Sequence, residues 1–143
     1  MKTDLTKILA VSGKSGLYRY ISQARQGAIL ESLSTGERGL VSARAKFNAL
    51  EDISIYTSSG ELKLREVFLK LHDTLGDEAA PQRKDEAKKT LELFEKAVPD
   101  YDRNRFYLSH MLKIAAWYNE LSKYASLDFQ DEDKEGEKRG DNE

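Results

Sequence analysis

Residues 16–42, GLYRYISQARQGAILESLSTGERGLVS, decide the fold. Leu17 to Gln23 is rich in aromatic and β-branched side chains, Arg25-Gln26-Gly27 has turn chemistry, and Ala28 to Leu33 repeats the strand pattern. Ser34-Thr35-Gly36 then turns into a third strand pattern at Glu37 to Ser42. That spacing predicts two hairpins back to back. Immediately upstream, Ser12-Gly13-Lys14-Ser15-Gly16 matches only the end of a phosphate-binding loop. Such a loop needs a glycine five residues before the Gly-Lys pair and a long helix behind it, so that amides and the helix terminus point at the phosphates. Here that position is Ile8 and the continuation is strand, so the segment reads as a glycine turn entering the first hairpin.

Outward from this core the pattern extends in both directions. Ala43 to Leu50 has the spacing of a single helical turn, Asp52 to Thr57 reads as a fourth strand, and Glu61 to Lys63 as a short edge. Four or five short strands punctuated by small turns predict a small SH3-like or Tudor-like β-barrel, because closure removes strand edges. Asp4 to Ala10, capped by Thr3 or Asp4, reads as a short helix plugging one end of it. Leu64, Val67, Phe68, Leu71 and Leu75 then form the stripe of an amphipathic helix stopping at Gly76. Ala87, Leu91, Phe94 and Val98 mark a second helix ended by Pro99. Met111, Ile114, Ala115, Tyr118, Leu121 and Ala125 line a third, with Ser109 as its cap. The expectation is an α+β chain: a barrel with its plug over residues 1–60, a three-helix unit over 61–126, and a disordered acidic tail over 127–143.

Bulk properties narrow the function. The 143 residues are 39% hydrophobic and 34% charged, the balance of a folded and polar protein. Cysteine is absent, which removes disulfides, thiolate metal sites and thiol nucleophiles and suits a reducing cytoplasm. The apolar run Ile8 to Val11 is far too short for an export signal or a membrane span, so no membrane association is expected. Charge is uneven: residues 1–60 sum to +3, residues 61–126 to zero and residues 127–143 to −5. The basic head and acidic tail point to different partners or to each other.

No catalytic constellation emerges. His72 and His110 are the only histidines, in no metal-ligand spacing, and Glu51 with Asp52 would point to opposite faces of a strand. Neither an enzyme, a metal site nor a cofactor is expected. The expected contact surface is the barrel: Tyr18 and Tyr20 as a stacking platform extended by Tyr56 and Phe47, with Lys14, Arg19, Arg25, Arg38, Arg44 and Lys46 to hold phosphates; the alternative, favoured for aromatic residues in strands, is that Tyr18 and Tyr20 pack inside the barrel and those charges are solvated. Arg103, Arg105, Phe106 and Tyr107 form a second candidate, for protein contacts. The reading is a non-enzymatic binding module for nucleic acid or a ribonucleoprotein; the alternatives are a protein–protein adaptor and a homo-oligomer paired through Met111, Tyr118 and Leu121.

Five segments in this order carry a resemblance: KILAVSGKSGLY (7–18), ALEDISIYT (49–57), LREVF (64–68), VPDYDRNRFY (98–107) and WYNEL (117–121). Together they resemble an uncharacterised family of small Bacteroidetes proteins with an N-terminal domain of unknown function followed by a helical one. The resemblance implies a cytoplasmic bacterial protein and supplies no catalytic residues.

Overall fold

The computed structural model describes residues 3–14, 16–81 and 84–129; the disordered tail expected over 127–143 lies outside them from residue 130 on, while its first three residues are instead held in place, Leu127 and Phe129 against the core and Asp128 through the Thr3 amide. Among the described residues, seven strands precede three α-helices: β1 (Ile8–Val11), β2 (Leu17–Ala24), β3 (Gly27–Ser32), β4 (Arg38–Ser42), β5 (Phe47–Ala49), β6 (Ser54–Thr57), β7 (Gly60–Lys63), α1 (Leu64–Leu75), α2 (Ala87–Ala97) and α3 (Leu108–Tyr124). The α+β arrangement is therefore sheet first, helices after. β1 to β5 form one antiparallel sheet in the order β4-β3-β2-β1-β5, and β6 and β7 form a separate two-stranded sheet. No ladder joins β4 to β5 among the described residues.

Three local expectations are corrected. Residues 8–11 are a strand, not part of a helical plug, because Ile8-Leu9-Ala10-Val11 is a short continuous apolar run that fits a central strand buried on both faces. Asp4 closes a turn ahead of it instead of capping a helix: its carboxylate accepts from the Thr6 amide at 3.0 Å, and its carbonyl from the Lys7 amide at 3.0 Å. Residues 47–49 are strand β5, paired with β1, where a helical turn was expected. The strand expected at Asp52 to Thr57 is β6, and its partner is β7 rather than the larger sheet. Glu51 and Asp52 lie on a 3-10 turn at Leu50–Asp52, with Glu51 buried against Arg65 at 3.8 Å.

Alternation distributes the sheet between two apolar clusters. Leu9, Val11, Ala28, Leu30 and Val41 gather on one face, with Tyr18, Tyr20, Phe47 and Ala49 packed against them. Ile8 and Leu17 point the other way and join Leu5, Leu33, Leu50 and Ile55 in a cluster shared with all three helices. On the helices, Leu64, Val67, Phe68 and Leu71 of α1 and Met111, Ile114, Ala115, Tyr118 and Leu121 of α3 are buried as their spacing predicts. Met111, Tyr118 and Leu121 are thus interior to one chain, and the face expected to pair two copies is not at the surface. On α2 the buried stripe is Thr90, Leu93, Phe94 and Ala97, turned from the expected one so that the Thr90 hydroxyl donates to Pro81 O at 2.6 Å.

Polar clamps complete the frame. The Asn119 amide pairs with both backbone groups of Ala80, at 2.7 and 2.8 Å, holding the loop after Gly76 to α3. Thr3 donates its backbone N–H to Asp128 O at 2.8 Å and bonds Ser126 through its hydroxyl at 2.9 Å. Phe129 then lies against Phe68 with ring centroids 5.9 Å apart. No described helix is long and apolar enough to cross a membrane.

Candidate functional site

The residues expected to form the barrel surface are not gathered in one place. Tyr18 and Tyr20 share a face of β2, half-buried against the Leu30–Val41 cluster, with Lys14 Nζ 6.0 Å from the Tyr18 ring centre. Arg19 points to the opposite face and, with Arg38, holds Glu31 at 3.4 and 3.1 Å, a closed charge ladder across β2, β3 and β4. Arg25, Arg44 and Lys46 are exposed in turns at the far end of the sheet, and Phe47 is half-buried. Tyr56 stands apart from these on β6, beneath the Arg105 guanidinium at 4.1 Å.

That guanidinium belongs to the 100–107 connection, which is built on itself. Arg105 is bound to Asp102 at 2.9 Å, and this partner together with the Asn104 amide holds the Asp102 carboxyl below the usual range, the amide contributing most. Arg103 bonds the Tyr101 hydroxyl at 3.0 Å and Glu95 at 3.4 Å. Phe106 is buried between Phe94 and Tyr101, with centroids at 5.6 and 5.8 Å. Tyr107 is exposed; its backbone N–H donates to His110 Nδ1 at 3.1 Å and its hydroxyl to Asn104 O at 2.7 Å. α3 begins at Leu108, so Ser109 lies in its first turn and the entry is fixed by the Tyr107–His110 bond.

A cleft that the apolar stripes do not point to runs beside α3. Lys113, Trp117 and Glu120 form a second row on that helix at i, i+4, i+7, next to the buried stripe. Trp117, Lys113 and Ile53 are common to two adjoining compartments. The first, of about 320 Å³, lies under the β6 hairpin and is lined by Ile55, Phe106 and Ile114, with Arg105 and His110 at its edge. The second, of about 490 Å³, opens towards the glycine turn and takes Lys14, Asn48, Gly16 and Glu120. Glu120 accepts the Leu17 backbone N–H at 2.8 Å; burial pushes its carboxyl up and that bond partly opposes the shift. The single tryptophan in a chain otherwise rich in tyrosine was the available sequence signal, since a tryptophan joins a large apolar body to one N–H donor and is enriched at interfaces.

Residues 5–50 match a domain of unknown function (DUF5606), and residues 53–121 match another domain of unknown function (DUF6852). A solution NMR structure from Bacteroides vulgatus, a structural-genomics target, is 30% identical, covers 85% of this chain and 87% of its own, and superposes with a TM-score of 0.69. The chain belongs to this two-domain family. No curated protein matches it. The family's two regions meet at the 3-10 turn, and both supply walls of the cleft: Lys14 and Asn48 from the first, Ile53, Lys113, Trp117 and Glu120 from the second. Among the described residues, no group of three or more His, Asp or Glu side chains is placed to hold a metal ion.

Proposed function

We propose that this chain is a non-enzymatic binding module whose ligand is a segment of another protein, laid along the cleft beside α3. The observation that carries the reading is Trp117, half-buried as the common wall of two concave compartments and surrounded by aliphatic side chains and lysines. Protein interfaces have this composition at their centres, where tryptophan, tyrosine and arginine contribute most of the affinity. The engagement of Arg19 and Arg38 by Glu31 favours a protein ligand over a phosphate backbone, because those guanidiniums already have acids. The lack of cysteine supports a cytoplasmic location.

Nucleic acid or a ribonucleoprotein is the second reading, supported by Arg25, Arg44 and Lys46 standing exposed at the end of the sheet that carries half-buried Tyr20. A library of random dodecapeptides displayed with their carboxyl ends free, selected on the immobilised full chain, separates the two. Enriched peptides are expected, with affinity falling about tenfold or more in Trp117→Ala. Their binding should be nearly constant between about 50 and about 200 mM salt. Absence of enrichment, with binding of single-stranded RNA that falls steeply over the same salt range, overturns the protein reading.

A further inference from the structure

We infer that the compartment under the β6 hairpin receives the carboxyl terminus of the docked segment, with a large apolar side chain as its last residue. This rests on the cleft being a polypeptide site, and adds which end of the polypeptide enters and in which direction it lies.

The inference comes from how charge is divided between the two compartments. Arg105, His110 and Lys113 line the first, and no carboxylate among the described residues does. Its remaining walls are mainly apolar, from Ile53, Ile55, Phe106, Ile114 and Trp117, with Tyr56 and Ser54 beside them. An apolar pocket edged by basic side chains and free of carboxylates is complementary to a ligand that joins one negative charge to an apolar body. A chain's final residue, with its side chain and free carboxylate on one α-carbon, has that form. Among the described residues, the Arg105 charge is already answered by Asp102. Lys113 is exposed and in no described ion pair, so it remains to meet the carboxylate. His110 accepts the Tyr107 N–H through Nδ1, which sets the tautomer protonated on Nε2 and leaves Nε2 as a donor.

The second compartment has different chemistry. It pairs Lys14 with the Glu120 carboxylate and the Asn48 amide, groups that can both give and take hydrogen bonds along a peptide backbone. A carboxylate placed there would face Glu120, so the division of charge orients the segment. Its end lies under the hairpin, and its preceding residues pass Trp117 towards the glycine turn.

Acetylated random hexapeptides ending in phenylalanine, prepared as free acids and as carboxamides, test this on the isotope-labelled full chain by amide chemical shifts. The acid pool is expected to shift Ser54, Arg105, His110, Lys113 and the Trp117 indole, and to bind about tenfold more tightly than the carboxamides, the size of one charge-assisted hydrogen bond. Lys113→Met should remove most of that advantage while leaving the unliganded spectrum folded, since the side chain is exposed. Equal binding of acid and carboxamide pools at the same residues overturns terminal recognition and leaves the polypeptide reading standing. Failure of both pools, together with an unenriched display library, overturns both. Phenylacetate binding as tightly as the acid hexapeptides overturns the inference in favour of a site for small acids.

Discussion

Gly27 is where one absent atom holds two strands together. A Cβ there would lie 1.9 Å from the Val41 carbonyl oxygen, inside the β3–β4 ladder. Gly27→Ala must therefore push backbone from backbone, and a loss of about 2–4 kcal/mol in urea unfolding is expected, at the upper end of ordinary substitutions. Glu120 makes a different prediction, about pH. Burial raises its folded pKa above the ordinary 4.5, so the folded chain still holds a proton where the unfolded chain has released it. Its contribution to stability accordingly falls as pH climbs from about 4.5 through the folded value, and is flat below. Glutamine can still accept the Leu17 N–H without a buried charge. Thermal melts should show the Glu120→Gln variant gaining on the parent between pH 4 and pH 7; a variant that loses ground over that interval contradicts the assignment. Neither residue was legible in advance. Gly27 reads as an ordinary turn glycine, and Glu120 acquires its role from Leu17, more than a hundred positions away.

Elements whose period and flanking residues agree were readable, and those governed by distant partners were not. The two hairpins and the stripes of α1 and α3 follow from Gly27, Gly36, Gly76 and the spacing of their apolar side chains. β1 was misread because four apolar residues satisfy a helical turn as well as a strand; β2 and β5 on either side decide the matter. α2 was found but turned, since Thr90 is polar by composition and buried by virtue of the Pro81 carbonyl. The cleft was missed for a related reason: its floor is a second row on α3, facing the sheet, whose position no local pattern specifies. Asn119 illustrates how α3 organises what surrounds it. Its amide answers both backbone groups of Ala80, so Asn119→Leu should cost about 2 kcal/mol. Hydrogen exchange at Ala80 should accelerate, while exchange in α1 changes only with global stability.

Across the molecule, the larger apolar cluster takes Leu5, Ile8, Leu17, Leu33 and Leu50 from the first family region and packs them on Phe68, Phe94, Tyr118 and their neighbours from the second. The regions that match separate domain families therefore share an interior. Residues 1–52 alone would expose those five side chains and keep only the smaller cluster of Leu9, Val11, Ala28, Leu30 and Val41. A fragment of that span should give a collapsed amide spectrum. The full chain should unfold in urea with one midpoint by both Trp117 fluorescence and circular dichroism. A well-dispersed spectrum from the fragment, or two midpoints, would show the regions to be independent. The clamp between Thr3 and the Ser126–Phe129 segment has a consequence of its own. With residues 3 and 129 side by side, the described fold is in effect a ring that happens to be cut there. A gene that fuses residue 129 to residue 3 through a few glycines, and starts instead in the Ser34–Gly36 turn, should encode the same described fold read from a different origin.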